Sequence, residues 1–274
     1  MFNFISELLI SEGVKLFAPV PLGNCKITKK YLLERAGISD GTVIMCAVPY
    51  MSFDCTKSHN ISAYASVRDY HVFYAQLWER ICTKLRQAFP DNIFVGFADH
   101  SPVDERDAAA IAGLGVIGEN GLLITEEYSS YVFLGELITN SKIPCKAQEI
   151  KHCISCGKCK SECPLDKLGQ CLSALTQKKG ELSPDEAEAL IEYNTSWGCD
   201  ICQVVCPYTQ KAISNKTIFT DIEYFLTDVI PDLDLGLLNA LDDQSFSSRA
   251  FAWRGRDTIR RNLEILEKYH NKQR

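Results

Sequence analysis

Hydrophobic and polar positions change their period several times along the chain, and each change marks an element. Residues 2–13, "FNFISELLISEG", space their apolar side chains as one stripe of a short amphipathic helix. "TVIMCAVPY" (42–50) and "NIFVGFAD" (92–99) are continuous, β-rich apolar runs that end at polar residues, and they predict strands. Between them, residues 62–89 place Val72, Ala75, Leu77, Ile81 and Leu85 at helical spacing, which predicts one long helix with a single buried stripe. "DERDAAAIAG" (104–113) predicts a further helix stopped by Gly113. "LLIT" (122–125) and "YVFLGELIT" (131–139) are expected to pair with each other around the polar turn "EEYSS".

From about Cys145 the pattern gives way to Cys, Lys and Gly, with few large apolar residues until 190. Such a segment cannot build a core alone and needs bound clusters to fold. One helix inside it has its start written out. In "SPDEAEALIEYN" (183–194), Ser183 is the N-cap, Pro184 sits at N1 and Glu186 at N3 completes a capping box. Residues 211–274 read as a helical tail. The expected division is therefore an α+β chain with a mixed domain at 1–144, a cysteine-rich domain at 145–210 and a helical extension at 211–274.

Composition narrows the class. With 274 residues, 46% hydrophobic and 23% charged, the chain is ordinary globular material. A net charge of −6 advertises no global attraction for nucleic acid. No apolar run approaches the ~18–20 residues of a membrane span. The acidic N-terminus does not read as a secretion signal, so a cytoplasmic location without membrane attachment is expected. Thirteen cysteines change the picture most. Disulfide-stapled domains are short and secreted, whereas here the count is odd and eight cysteines crowd into residues 153–206. Metal binding in a reducing compartment fits better. Cys25, Cys46, Cys55 and Cys82 are scattered and read as small buried hydrophobes.

"CISCGKCKSECP" (153–164) is followed by a shorter copy, "CDICQVVCP" (199–207). In two-cluster ferredoxins, three cysteines of such a run hold one cube and the fourth, ahead of proline, crosses to the other. On that pattern Cys153, Cys156 and Cys159 join Cys206, while Cys163 joins Cys199 and Cys202. The second set lacks a ligand. Cys171, between the half-motifs, or Cys145, ahead of the first, can complete it, and the placement of Cys171 within the loop favours it. Paired CxxC motifs also make zinc ribbons, but zinc does not account for a CxxCxxCxxxCP run. Two adjacent cubes form a wire for single electrons, and a wire implies a redox centre at its end.

Other motifs are weaker. "GLGVIG" (113–118) matches a dinucleotide fingerprint, yet the predicted helix precedes it and the strand follows, an inverted context. "FADHSPVDER" (97–106) puts Asp99 and His100 at a strand mouth. Asp99 there is either a proton donor with a raised pKa or the N-cap of the next helix. Arg68 and His71 fall on the predicted long helix. There is no Ser-His-Asp set, P-loop or HExxH motif.

Taken in order, "YASVRDYH", "FADHSPVDERDAAAIAGLGVIGENGLL", "YVFLGELIT", "CISCGKCKSECP", "CLSALTQKKG", "GCDICQVVCP" and "FAWRGRDTIRRNLEIL" resemble the epoxyqueuosine reductase family, colinearly from about 43 to 265. The resemblance implies two [4Fe-4S] clusters and cobalamin held on a nitroreductase-like α/β domain, followed by a bacterial ferredoxin-like domain. It implies an oxidoreductase in which a strongly reducing Co(I) removes the epoxide oxygen of epoxyqueuosine in tRNA, fed by an external flavodoxin or ferredoxin. It assigns Asp99 as proton donor, a ligand role to Cys171, and corrinoid contacts to Gly113, Gly115 and Gly118, with Ser62, Leu123 and Leu134 beside the aligned motifs. Some features depart from the pattern. Glu119 stands where the family carries lysine, Tyr208 follows the last Cys-Pro in place of asparagine, and the stretch between Cys163 and Cys171 is shorter. A short form without the family's C-terminal helical repeats is expected. Related alternatives are a corrinoid iron–sulfur reductase acting on a small molecule or on another protein's corrinoid, or a cobalamin-free electron-transfer ferredoxin.

Overall fold

A strand buried on both faces reads as an unbroken apolar run, and residues 42–49 illustrate why. In the computed structural model, which describes residues 1–56, 59–166 and 169–273, every position of Thr42–Pro49 (β2) is buried. This strand lies inside a four-stranded antiparallel sheet of order β1-β2-β6-β3, with β1 Leu16–Pro21, β3 Phe94–Phe97 and β6 Val132–Thr139. β1 escaped the sequence pattern because Pro19 and Pro21 interrupt it. As an edge strand it tolerates prolines that a central strand would not.

Two expectations are corrected. β6 does not pair with the "LLIT" segment. It pairs with β2 and β3, while Leu123–Ile124 (β5) forms a separate ribbon with Val116–Ile117 (β4). The "EEYSS" turn after β5 is closed by a Thr125–Ser129 bridge, with the Thr125 hydroxyl accepting the Tyr128 N–H at 3.1 Å. Nor is 62–89 one helix. It is the helices Ala63–Ser66 and Tyr70–Ala88, separated at Val67, whose ψ of 173° is extended. The reason is local: Arg68 bridges Arg249 in strand fashion and the Asp69 N–H donates to the Ser248 carbonyl at 2.8 Å, so the backbone there is committed elsewhere.

Backbone contacts divide the chain into two interleaved units. One comprises 1–49, 70–156 and 211–218; the other comprises 50–69, 157–210 and 219–274. In the first, the Glu105–Ile111 helix starts at the Asp104 side chain, which accepts the Asp107 N–H, and lays its small residues Ala108, Ala109 and Ala110 into the sheet core. The Tyr70–Ala88 helix buries Tyr74, Leu77, Ile81 and Leu85. In the second unit, the capping box at Ser183 forms with both of its bonds, at 3.3 and 2.8 Å. The Arg256–Gln273 helix packs on the Pro184–Glu192 and Leu172–Thr176 helices, over a core that includes Trp197, Leu238, Phe251 and Ile259. The tail is thus several short helices and one long one; its last residue, Arg274, and positions 167–168 before Cys171 lie outside the described residues. Among the described residues, no helix is long and apolar enough to cross a membrane.

Candidate functional site

Two residues past the end of β3, Asp99 has φ +61°, a left-handed conformation that a non-glycine residue adopts at a cost of about 1–3 kcal/mol. Local bonds hold it there. Its N–H donates to Glu105 Oε1 at 3.0 Å, and its Oδ2 lies 3.4 Å from His71 Nε2 in the first turn of the Tyr70–Ala88 helix. Both side chains are exposed. Hydrogen bonding from His71 holds the Asp99 carboxyl below the usual carboxylate range, with Lys29 and His100 assisting against partial burial. That is the opposite direction from the raised value expected of a resting proton donor. The other reading of Asp99, as helix N-cap, is also set aside, because Asp104 takes that place. His100 Nε2 is 2.8 Å from the Tyr31 hydroxyl.

Behind Asp99 lies a pair of carboxyls that the sequence reading missed. Burial pushes Glu105 up to about 6. Glu136, in the middle of β6, is fully buried, and burial followed by the charge of Glu105 raises it far above the carboxylate range. Ser101 Oγ donates to Glu136 Oε1. The signal was available: Glu136 is the one charged residue in the run "YVFLGELIT".

The glycine loop is packed by the chain's own atoms. Gly113 follows the Glu105–Ile111 helix at φ +88°, where a Cβ would strike the Gln148 side chain; at Gly115 it would strike the Ile124 carbonyl. Gly118 similarly meets the Asn120 side chain, Leu123 is buried in the core, and Leu134 is half-buried in β6. The loop also anchors the first cysteine. The Ile117 N–H donates to the Lys151 carbonyl at 2.9 Å, and the Cys153 N–H to the Ile117 carbonyl at 3.0 Å.

All thirteen cysteines are free thiols, in two populations. Cys25, Cys46, Cys55 and Cys82 are buried as expected, whereas the seven of the two half-motifs and Cys171 are exposed or half-buried, as is Cys145. Cys153 and Cys156 end the first unit; the other six belong to the second. Ser155 and Gly157 turn the first loop with positive φ, at 51° and 74°. Within the second unit, the helical turn Lys158–Ser161, carrying Cys159, packs on Ile201–Val204, carrying Cys202. Cys171, Cys199 and Cys202 are electrostatic neighbours. Burial pushes the Cys199 thiol up to about 12, and negative charge on Asp200, Cys202 and Cys171 adds to the rise. Cys163 is near Tyr193. Cys145, in the first unit, acts on Cys25 instead. Accessible thiols on paired loops fit soft iron as a donor set. Among the described residues, no three His, Cys, Asp or Glu side chains converge on a single point as one bare ion requires.

Also in the second unit, a cavity of about 330 Å³ is lined by Asn60, Ser62, Leu172, Cys199 and Asp200, among others. Ser62 is 3% exposed, and its Oγ has no hydrogen-bond partner among the described residues. An orphaned hydroxyl beside a candidate cluster cysteine fits a polar group of a bound cofactor. The buried Asp200 carboxylate accepts the Ala63 N–H at 2.6 Å and the Gln203 amide at 2.8 Å.

Half-motifs of this spacing are those by which ferredoxins hold iron–sulfur clusters. Comparison with known proteins specifies the kind. No family model matches the chain. The epoxyqueuosine reductase of Lactococcus garvieae is 34% identical over 206 residues, covering 71% of this chain and 57% of that one. That of Synechocystis sp. is 31% identical over 217 residues, covering 74% of both. The chain belongs to the epoxyqueuosine reductase family. It spans just over half the length of the Lactococcus relative. In fold it resembles the epoxyqueuosine reductase of Streptococcus thermophilus, with a TM-score of 0.74 at 23% identity over 97% of this chain and 80% of that one. A crystal structure of an epoxyqueuosine reductase with an epoxyqueuosine-modified tyrosine tRNA stem loop gives a TM-score of 0.70 at 23% identity, covering 97% and 81%.

Proposed function

We propose that this chain reduces epoxyqueuosine to queuosine in tRNA, using two [4Fe-4S] clusters and a cobalamin. The observation that carries the reading is the likeness to the Synechocystis enzyme across 74% of both chains. In this reading residues 1–144 are a nitroreductase-like corrinoid domain, 145–210 the ferredoxin-like domain and 211–274 its helical support. Cys153, Cys156, Cys159 and Cys206 hold one cube; Cys163, Cys171, Cys199 and Cys202 hold the other. The mutual proximity of Cys171, Cys199 and Cys202 favours Cys171 over Cys145 as the eighth ligand. An external flavodoxin or ferredoxin supplies the electrons, in the cytoplasm.

Bound cobalamin would supply a strongly reducing metal centre beside the epoxide. The orphaned Ser62 hydroxyl supports a polar contact to it, with Gly113, Gly115, Gly118, Leu123 and Leu134 the remaining candidates. Asp99 delivers the proton that the released oxygen needs. Its carboxyl rests ionised against His71, so the proton arrives through that pair, from Nε2 to Oδ2. The left-handed backbone at Asp99 is the kind of strain that folds keep where a side chain must be aimed.

A second reading, a corrinoid reductase acting on a small molecule or on another protein's corrinoid, is favoured by the net charge of −6 and by Glu119. Anaerobic reconstitution, corrinoid titration and an assay on epoxyqueuosine tRNA decide. The proposal expects about eight irons per chain, corrinoid uptake and tRNA turnover. Uptake without tRNA turnover selects the second reading, and full iron without uptake refutes both in favour of a ferredoxin.

A further inference from the structure

Glu136 occupies a position where the strand pattern calls for an apolar side chain, at the centre of the sheet and fully buried. An ionised carboxylate there is costly unless paired with a cation, so a carboxyl in this setting keeps its proton. The surroundings fit a neutral acid. Ser101 Oγ donates to Oε1 while accepting the Val103 N–H at 3.1 Å. Oε2 has no hydrogen-bond partner among the described residues, and Glu105 is an electrostatic neighbour whose charge disfavours ionisation of Glu136. Of two neighbouring acids the less buried, Glu105, is the one that ionises. Glu105 is also the first residue of the Glu105–Ile111 helix, where a negative charge is favoured. Its Oε1 accepts the Asp99 N–H at 3.0 Å.

We propose that Glu105 is a positioning residue for Asp99, that it fixes the left-handed loop by accepting the Asp99 amide, and that Glu136, buried in the strand beside it, keeps its proton. Besides Asp99, the titratable groups facing the pair are Lys29, Cys25, Cys46 and Tyr74; of these only Lys29 favours ionisation. His71 holds the side chain of Asp99 and Glu105 holds its backbone, so the acid is aimed from two directions. The consequence for turnover rests on the role of Asp99 proposed above, but the loop geometry does not.

The test is hydrogen exchange at the Asp99 amide of the whole chain, with the amides of β2 as the control for folding. Glu105→Ala is expected to speed exchange at Asp99 about tenfold at neutral pH, as loss of one bond to a charged acceptor implies, with β2 unchanged. Glu105→Gln keeps an oxygen acceptor and is expected to restore most of the protection. Infrared spectroscopy at neutral pH should show a protonated-carboxyl band that Glu136→Gln, a shape-conserving change, removes. Unchanged Asp99 exchange in Glu105→Ala, or a band that persists in Glu136→Gln, overturns the proposal. If Glu105→Ala frees the amide while Asp99→Asn leaves tRNA turnover intact, the positioning stands and the assignment of Asp99 as acid fails.

Discussion

Replacing Asn262 with alanine should cost more stability than the loss of a small polar side chain suggests. Asn262 is fully buried, and its Nδ2 donates to two carbonyls, Thr176 at 2.7 Å and Ser196 at 2.8 Å. The amide orientation is fixed independently, because Oδ1 accepts from Arg261 Nε at 3.1 Å and Nη2 at 2.7 Å. Thr176 and Ser196 are themselves fully buried, so neither carbonyl can turn to water. Each buried acceptor left without a donor costs about 1–3 kcal/mol, which puts Asn262→Ala at about 2–6 kcal/mol. That is a large part of the ~5–15 kcal/mol that holds a typical domain together. The two carbonyls belong to the segments that carry Cys171 and Cys199, and Thr176 Oγ1 also accepts the Gly198 N–H at 2.9 Å. Urea unfolding of the reconstituted protein, read together with iron release, measures the effect. The isosteric Asn262→Asp has no donor to offer and should be at least as unstable as the alanine variant. A loss below about 0.5 kcal/mol, or an aspartate variant as stable as the parent, would refute the argument.

Cys171→Ala should lower reconstituted iron by about half while Cys145→Ala leaves it unchanged; iron counts in the reverse order would make Cys145 the eighth ligand. Asp99→Asn should keep both clusters and corrinoid uptake but lose turnover of epoxyqueuosine tRNA, and full activity would remove Asp99 from the chemistry. Gly115→Ala forces a Cβ onto the Ile124 carbonyl and should destabilise the first unit by about 1–3 kcal/mol, seen as a lowered thermal midpoint. Folding raises the pKa of Glu105 from 4.5 to about 6, so its ionised form opposes folding above 4.5, and fully so above about 6. Glu105→Gln, neutral throughout, should therefore gain in urea midpoint relative to the parent as pH rises through that window; a constant difference would contradict the burial of this acid.

What the sequence made legible follows from how local each cause is. The capping box at Ser183 needs only residues 183 and 186, and it forms as read. The run at 42–50 needed only its own apolarity to declare a strand covered on both faces. β1 stayed hidden because its prolines are permitted by an edge position, which is a property of the assembled sheet. The break at Val67 was hidden for a similar reason: its cause lies at Ser248 and Arg249, about 180 residues away in sequence. At the candidate site, the acid at 99 was visible as a polar end to an apolar run, but its lowered pKa was not, because His71 meets it across 28 residues. Spacing named seven ligand candidates, and placement within the loop, with the family resemblance, put Cys171 ahead of Cys145 as the eighth. Proximity in the fold adds to that choice, because Cys171 neighbours Cys199 whereas Cys145 neighbours Cys25.

The segment rich in Cys, Lys and Gly cannot form a core of its own, and the tail supplies what it lacks. Leu165, Leu172, Leu175, Ala189 and Leu190 make only a small cluster. The Arg256–Gln273 helix covers the helices that carry four of these side chains, and it brings more than apolar area. Arg261 donates to the carbonyls of Lys178, at 2.6 Å, and Gly180, while the adjacent Asn262 binds those of Thr176 and Ser196. Four backbone acceptors flanking Cys171 and Cys199 are thus satisfied by two consecutive side chains of one helix. Loops that take clusters must keep their thiols open and cannot bury them, so their backbone needs polar partners from elsewhere. The "RRNLEIL" stretch meets that need, which makes residues 256–273 a structural part of the cysteine unit rather than an appendage to it.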